Sequence, residues 1–498
     1  MVTTQIVSAS FGTAAHWNQI NWSSCQKSTK RLQARIVQAT KEGRWNKVKA
    51  LQRLLTHSFS AKALAVKRVT TNKGKSTAGV DGQLWKTSIS KSQGIADLRQ
   101  RGYRPQPLKR VHIPKSNGSK RPLGIPTIKD RAMQALYLMG LSPVAETTGD
   151  IHSYGFRPYR CAADAISQIF IVLARKDAPQ WILEADIEKC FDKIDHNWLV
   201  NSIPVEKSIL KKWLKSGFMD SKMFYPTKTG TPQGGIISPV LANMALDGLE
   251  TVLTKQFGNK GTKKRKKSGV HLIRYADDFI ITGKTKEILE IQVKPIVEDF
   301  LFQRGLTLSA EKTTTTHIDK GFDFLGQTIR KYKSKLIIKP SGKSVNNILR
   351  RSKDLIRKNR ANTQEEVIKV LSPQIRGWAY YHRGSCARKA YEKVDHQIFQ
   401  SLWQWSKRRH PNKGTRWIKE KYFKRKENQN WCFATTTKKK NTIEWQELFR
   451  ATSIPIQRHI KIRANSNPFD KEWSAYFAER QSSNYTTRNN YRLELECI

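Results

Sequence analysis

Three aspartates have the type and the setting to do chemistry together. Asp186 ends a short apolar run, Trp181-Ile182-Leu183-Glu184-Ala185-Asp186-Ile187. Asp277 and Asp278 sit between two more, His271-Leu272-Ile273-Arg274-Tyr275 and Phe279-Ile280-Ile281-Thr282. Carboxylates converging from rigid elements suit divalent ions, because Mg2+ takes carboxylate oxygens together with substrate phosphates. Two such ions roughly 3.5–4 Å apart can activate an attacking 3′-hydroxyl and steady a departing pyrophosphate. Asp186 and Asp277 are the candidate ligands, provided their two elements are neighbours. Taken singly, an Asp in a strand is more often a surface residue, and an Asp-Asp at a turn is ordinary. The surroundings decide.

The elements that must position these acids are legible as patterns. Alternation along 181–187 puts Trp181, Leu183, Ala185 and Ile187 on one face and Glu184 and Asp186 on the other. The two runs around Ala276-Asp277-Asp278 read as a β-hairpin with the acids at its tip. Ser238-Pro239 opens a helix carrying Leu241, Ala245, Leu249 and Val252, with Ser at the cap and Pro in the first turn. Upstream, Val111-His112-Ile113-Pro114 is a short strand, Asn117-Gly118 a hairpin turn, and 120–126 the return arm. Helical spacing follows from Asp130 to Leu141. Leu32, Ile36, Ala39, Val48, Leu51 and Leu55 predict helix over 28–66, and 70–82 reads as a loop. Past 340 the chain reads as helical again, through Ile348, Leu355, Ile356, Val367, Ile368 and Leu371.

Composition narrows the class. The 498 residues suggest about three domains. With 91 Lys and Arg against 40 Asp and Glu, the net charge is +51, and 38% hydrophobic residues suffice for a globular core. Such charge repels itself in a compact state unless a polyanion offsets it. Nucleic acid is the leading partner, since neutralising phosphates releases counterions. An anionic membrane surface is the weaker alternative. No apolar run reaches the length of a transmembrane helix, and Met1-Val2-Thr3-Thr4-Gln5 does not begin a secretory signal. The six cysteines form no Cys-x-x-Cys, and the nearest two, Cys161 and Cys190, are 29 apart. This argues for a reducing compartment and against zinc ribbons or a disulfide framework. The block 260–267, with Lys263, Lys264 and Arg265, is either a solvated loop or a nucleic-acid contact. Trp378, Tyr380 and Tyr381 interleave with Arg376 and Arg383, as do Trp403 and Trp405 with Lys407 to Arg409. These aromatics are either core or stacking platforms for RNA.

The surroundings of the acids resemble a known family. Ala185-Asp186-Ile187-Glu188-Lys189-Cys190-Phe191-Asp192 is similar to the first palm motif of reverse transcriptases, and Tyr275-Ala276-Asp277-Asp278 to their Tyr-x-Asp-Asp box. Between them, Gly230-Thr231-Pro232-Gln233-Gly234-Gly235 resembles their Pro-Gln-Gly loop. Further blocks resemble group II intron-encoded reverse transcriptases: 118–126, His152-Ser153-Tyr154-Gly155-Phe156-Arg157-Pro158, 305–313, and Phe322-Asp323-Phe324-Leu325-Gly326. Arg376-Gly377-Trp378-Ala379-Tyr380-Tyr381 resembles the maturase region of the same family. The resemblance spans about 1–480 and sits closest to the chloroplast-like bacterial and organellar lineage.

The resemblance implies an α+β right-hand polymerase, with fingers and palm built on antiparallel sheet, followed by an all-α thumb or maturase region. It implies that Asp186, Asp277 and the Ile187 carbonyl hold two Mg2+ ions, with Asp278 as the supporting acid. Lys120 and Arg121 would bind the triphosphate, with Lys115 a weaker candidate. Phe191 would gate the sugar 2′ position, or else is plain core. Gln233 would contact the incoming nucleotide and template, and Lys312 would act near the site. Arg376, Trp378, Tyr380, Tyr381, Lys263, Lys264 and Arg265 would contact RNA. The implied organisation is an N-terminal extension and start of fingers (1–105), fingers and palm (106–340), thumb (341–420), a DNA-binding region (421–466) and a linker remnant (467–498). The tail lacks the His and Cys pairs of the family's His-Asn-His endonuclease, so that nuclease is not expected.

The implied activity is RNA-directed DNA polymerisation on an RNA template and primer with dNTPs. Group II intron RNA and target DNA are the implied partners, no membrane is involved, and the setting is the bacterial cytoplasm or an organelle. Retained Asp186, Asp277, Asp278, Phe191 and Gln233 favour activity over a splicing-only RNA-binding maturase. The maturase-like Arg376-Gly377-Trp378 argues against a polymerase outside introns.

Overall fold

A computed structural model describes residues 14–114, 118, 120–259, 261–427, 429–439 and 442–482. The chain forms two compact units: one of residues up to 165, 181–315 and 462 onward, the other of 166–180 and 316–461.

The first unit opens with α1 (Ala14–Asn18), α2 (Trp22–Lys41), α3 (Trp45–His57), α4 (Phe59–Thr71) and α5 (Ser88–Asp97). The single helix expected over 28–66 is therefore three. Gly43 reverses the chain at φ +66°, a conformation that costs glycine nothing. Ser58 then breaks the next junction with extended backbone. Its hydroxyl accepts from the Ala61 N–H at 3.2 Å and donates to the Leu55 carbonyl at 2.8 Å. The apolar positions still face inward: Ile36, Ala39, Val48, Leu51 and Leu55 are buried.

Next come the antiparallel hairpin β1 (Leu108–Pro114) and β2 (Lys120–Ile125), and the long helix α6 (Ile128–Thr148). The expected turn residue Asn117 and the candidate Lys115 lie outside the described residues. α2, α3 and α4 pack on α6, which carries Pro143 in its interior. A proline supplies no N–H, so the Met139 carbonyl one turn earlier loses its helical donor. Buried Gln33 of α2 fills that place, donating to the Met139 oxygen at 2.9 Å, and Gln52 of α3 donates to the neighbouring Gly140 oxygen at 3.1 Å.

α7 (Ala162–Leu173) precedes β3 (Trp181–Ala185), which is followed by α8 (Cys190–Lys193), α9 (His196–Ser202) and α10 (Lys207–Leu214). The pair β4 (Phe218–Asp220) and β5 (Met223–Tyr225) joins the first hairpin in a sheet of order β2-β1-β4-β5. α11 (Ser238–Leu246), α12 (Leu249–Phe257) and α13 (Lys263–Ser268) lead to the hairpin β6 (His271–Tyr275) and β7 (Asp278–Gly283), and then to α14 (Lys294–Phe302). The helix expected from Ser238 through Val252 is broken at Asp247-Gly248, where Gly248 has φ +98°, and Val252 is exposed. Ser238 is the first helical residue and Ile237 takes the cap position. The 260–267 block is not all loop, since 263–268 is the helix α13. The strand read over 181–187 ends at Ala185, and Ile182 and Leu183 are both buried, so both faces of β3 are covered.

β8 (Thr314–His317) carries the chain into the second unit. There β9 (Phe322–Phe324), β10 (Gln327–Tyr332) and β11 (Lys335–Pro340) form an antiparallel sheet. The helices expected past 340 follow: α15 (Gly342–Lys358), α16 (Gln364–His382), α17 (Arg388–Arg409) and α18 (Thr415–Tyr422). Sequence reading did not anticipate the antiparallel sheet that comes next, β12 (Phe423–Lys426), β13 (Gln429–Lys439) and β14 (Thr442–Glu447). Its Phe423 and Phe433 join the core of Val367, Leu371, Tyr391, Leu402 and Trp405.

The tail returns to the first unit. The Ile462 N–H donates to Asp164 at 2.7 Å, Lys41 pairs with Asp470 at 2.5 Å, and α19 (Ser474–Ser482) closes the described chain. Among the described residues no helix is long and apolar enough to cross a membrane, and Cys25, Cys161, Cys190, Cys386 and Cys432 form no disulfide.

Gln33→Leu strands the Met139 carbonyl in the core. Denaturant unfolding is expected to read a loss of about 1–3 kcal/mol, the cost of one buried unpaired polar group.

Candidate active site

Backbone pairing brings the three acids together. β3 and β7 are antiparallel with Ala185 opposite Phe279, and β7 pairs with β6 through Tyr275 opposite Asp278. One step beyond Ala185 the chain reaches Asp186, beside the hairpin tip that carries Asp277 and Asp278. The carboxylates feel one another there. Burial, and then the charges of Asp277 and Asp186, push Asp278 up to about 6. Asp277 is also raised, chiefly by burial and further by Asp186, while the Arg121 and Lys312 charges oppose the rise.

The segment after Asp186 is fixed on its other side. The Ser309 N–H donates to the Asp186 carbonyl at 2.8 Å, and the Glu188 N–H to the Thr307 carbonyl at 3.0 Å, around an Ile187–Leu308 bridge. In an antiparallel ladder, alternate residues turn their peptide groups to opposite sides. The Ile187 carbonyl is thereby directed away from Leu308, toward the side of the hairpin. The same turn delivers Lys312, whose Nζ lies 2.7 Å from Asp186 Oδ2, and that contact raises the lysine.

Phe191 and Gln233 are held in an adjoining layer. Phe191 sits on α8, half-buried, with its ring edge-on to Phe156 at 6.2 Å. The Pro-Gln-Gly loop is pinned to this turn. The Thr231 N–H donates to the Phe191 carbonyl at 2.6 Å, the Gly230 N–H to the Ile194 carbonyl at 2.8 Å, and Gln233 Nε2 lies 3.3 Å from both Asp192 oxygens. On its far side the loop meets β2, where the Gly124 N–H donates to the Gln233 carbonyl at 2.7 Å. Glycine is required at Gly234, which has φ +112° and where a Cβ would stand 2.5 Å from the Gly124 oxygen; a Cβ on Gly124 would press the Leu108 side chain, 2.9 Å away. A cleft of about 450 Å³ opens here, lined by Leu108, Arg110, Gly124, Asp192, Thr231 and Gln233.

The other candidates fall in three groups. Lys120 and Arg121 are exposed at the start of β2, and the Arg121 charge is felt at both Asp192 and Asp277. Lys263 and Lys264 are exposed on α13, but Arg265 is turned inward, donating to the Gly258 carbonyl at 3.3 Å with His271 Nδ1 at 3.1 Å. Arg265 is thus a corrected member of the lysine run: it braces α13 against β6. Arg376, Trp378, Tyr380 and Tyr381 lie on α16 in the second unit. There Trp378 and Tyr380 are half-buried on the core, with Trp378 Nε1 donating to Ser344 Oγ at 3.0 Å. Arg376 and Tyr381 are exposed, the first over the Phe449 ring at 4.9 Å, the second donating to the Leu325 carbonyl at 2.8 Å.

Sequence reading missed the second layer. Asp192, which orients Gln233, was noted only as part of a motif, and Arg274, Asn243 and Asp247 behind the hairpin were passed over. The available signal was an arginine in the middle of the apolar run 271–275.

A carboxyl raised in the folded state loses its charge more readily there than in the unfolded chain. The metal-free protein should therefore gain stability from Asp278 as pH falls from 7 through about 6, up to the point where the unfolded carboxyl also protonates. Asp278→Asn is expected to stabilise it at pH 7 by on the order of 1 kcal/mol after solvent screening, and not at pH 4, in parallel melts.

Comparison with known proteins agrees with this geometry. Residues 17–98 match the N-terminal domain of reverse transcriptase, 113–329 the reverse transcriptase (RNA-dependent DNA polymerase) domain, and 345–423 the group II intron maturase-specific domain. The chain is 32% identical to Protein YkfC of Escherichia coli (strain K12), over 57% of this chain and 84% of that protein. It is 32% identical to the group II intron-encoded protein LtrA of Lactococcus lactis subsp. cremoris, over 59% of this chain and 58% of LtrA. It is 26% identical to the putative COX1/OXI3 intron 2 protein of Saccharomyces cerevisiae, over 47% of this chain and 33% of that protein. With Asp186 brought beside the hairpin tip that carries Asp277 and Asp278, and with three domains matched, the chain belongs to the family of group II intron-encoded reverse transcriptases and maturases.

Proposed function

We propose that this protein copies RNA into DNA by two-metal nucleotidyl transfer, and that it binds group II intron RNA to assist splicing and to support intron mobility by target-primed reverse transcription. The observation that carries the reading is the convergence of Asp186, Asp277 and Asp278 at the end of the β3–β7–β6 ladder. Their hard oxygen donors suit Mg2+. Mutual repulsion and burial raise Asp277 and Asp278, a cost that bound cations would relieve. Asp186, Asp277 and the Ile187 carbonyl are the residues that would hold two ions. When bound, these supply charge stabilisation to the attacking 3′ oxygen and the leaving pyrophosphate.

The remaining roles follow from position. Arg121 and Lys120 neutralise the incoming triphosphate from the finger hairpin. Phe191 presents its ring to the sugar 2′ position. Gln233, oriented by Asp192, contacts nucleotide and template. Lys312 holds its proton at Nζ beside Asp186, poised as an acid or as a fixed positive charge. Fingers and palm take up 106–340, thumb 341–420 and a DNA-binding region 421–466, the last reading the target DNA. Arg376 and Tyr381, with Lys263 and Lys264, add exposed contacts for intron RNA, whose shape is read through its backbone. A net charge of +51 supports that reading. The bacterial cytoplasm or an organelle is the setting that fits.

Primer extension on an RNA template with Mg2+ and dNTPs tests the assignment. Asp277→Ala is expected to lose at least about 1,000-fold in rate with RNA affinity unchanged, the scale of losing a principal electrostatic stabiliser. If the intact chain does not extend a primer while still binding structured RNA tightly, the polymerase reading falls. Phe191→Ala is expected to incorporate ribonucleotides at least about tenfold more readily, one tenfold step being about 1.4 kcal/mol of discrimination. An unchanged ratio would return Phe191 to core packing.

A further inference from the structure

Behind the catalytic hairpin lies a buried arginine. Arg274 on β6 is 1% exposed. Its Nη1 donates to the Ala276 carbonyl at 3.3 Å, the peptide group that leads into Asp277. The same atom donates to Asn243 Oδ1 at 3.2 Å. Its Nη2 is paired with Asp247 and stands 4.0 Å from Asp150 Oδ2. Asn243 in turn donates to the Gly155 carbonyl at 2.8 Å. Gly155 lies so close beneath the turn that a Cβ there would stand 2.4 Å from the Ala276 nitrogen.

The turn needs this support. Ala276 has φ +56°, a left-handed conformation that a residue with a Cβ adopts only when its surroundings impose it. Tight hairpins ordinarily place Gly, Asn or Asp at such a position. Ala276 has no side chain able to hold it there, and Asp277, one residue on, would hold a metal ion under the function proposed above.

We infer that Arg274 is the positioning residue of the acid pair: its guanidinium, anchored by Asp247 and Asn243, clamps the Ala276 carbonyl and so fixes the direction of the Asp277 carboxylate. Asn243 and Gly155 complete the seat. The inference rests on Asp277 being a metal ligand, as proposed above. Groups that orient a ligating side chain typically change metal affinity or activity about 10- to 100-fold when removed.

The test removes the buried pair together, Arg274→Met with Asp247→Asn, because removing one partner alone strands a buried charge. Three readouts are taken: thermal melting with RNA affinity, Mn2+ binding followed by electron paramagnetic resonance, and the split of kcat from KM for dNTP. A folded double variant is expected to bind Mn2+ about 10- to 100-fold more weakly and to lose kcat on the same scale, with RNA affinity and KM within about twofold. A folded double variant with native Mn2+ affinity and native kcat overturns the inference. If the double variant does not fold, Asn243→Ala decides on the same readouts. A several-fold loss of Mn2+ affinity and kcat supports the clamp, and no loss overturns it. Asp277→Ala is run alongside. If it binds Mn2+ like the intact chain, the metal-ligand reading fails at its source, an outcome distinct from failure of the clamp.

Discussion

Like charges resist being gathered, and the site requires it. Asp277 and Asp278 are raised first by burial and then by the neighbouring carboxylates, Asp186 among them. The backbone holds them there. The antiparallel register of β3, β7 and β6 places the acids through a ladder of main-chain hydrogen bonds. The 307–309 segment grips the far side of Asp186 in the same manner. Lys312 contributes a countercharge in contact with Asp186, and the Arg121 charge acts on Asp277 as well.

The same problem is solved a second time beneath the sheet, in a drier place. Glu146, Asp150 and Asp247 are matched against Arg157, Arg160 and Arg274, all within the first unit. Arg157 engages Glu146 with two parallel hydrogen bonds of 2.9 Å, the forked geometry that guanidinium and carboxylate share. Removing one member of such a set leaves an uncompensated charge in low dielectric, so the set stands or falls as a unit. The His152-Ser153-Tyr154-Gly155-Phe156-Arg157 block thus has a physical reading. It supplies the cation for Glu146, and it supplies the glycine on which the Ala276 turn rests.

Much of the site was legible beforehand because strand periodicity is short-range. The alternation around Asp186 and the paired runs around Asp277 and Asp278 needed only local residues to be read, and the hairpin is where they put it. The helix breaks at Gly43, Ser58 and Gly248 were harder to read. Across Gly248 the four-residue spacing from Ala245 to Leu249 continues, so periodicity alone runs straight through, whereas at Gly43 the step from Ala39 to Val48 falls half a turn out of register and was a signal passed over. The sheet over 423–447 was missed because the chain past 340 was read as helical and 421–466 only as a DNA-binding region implied by resemblance; packing against α16 and α18 shows Phe423 and Phe433 to be core. Arg265 was grouped with the lysines beside it because charge patterning does not say which member of a run turns inward.

The sequence by itself determined the chemistry available: three acids in strand and turn settings, a basic chain, an aromatic five residues after the first acid and a glutamine in a glycine-rich loop. Those are properties of residue type and near-neighbour spacing. Tertiary structure alone decided which groups meet. Gln33 reaching the carbonyl that Pro143 leaves open, Gly124 touching the loop of Gln233, and Arg274 seated between Asp247 and Ala276 all join residues far apart in the chain or hidden from its surface. Their pairing depends on how helices and sheets stack, and that is fixed by the shape of the buried core rather than by any local pattern.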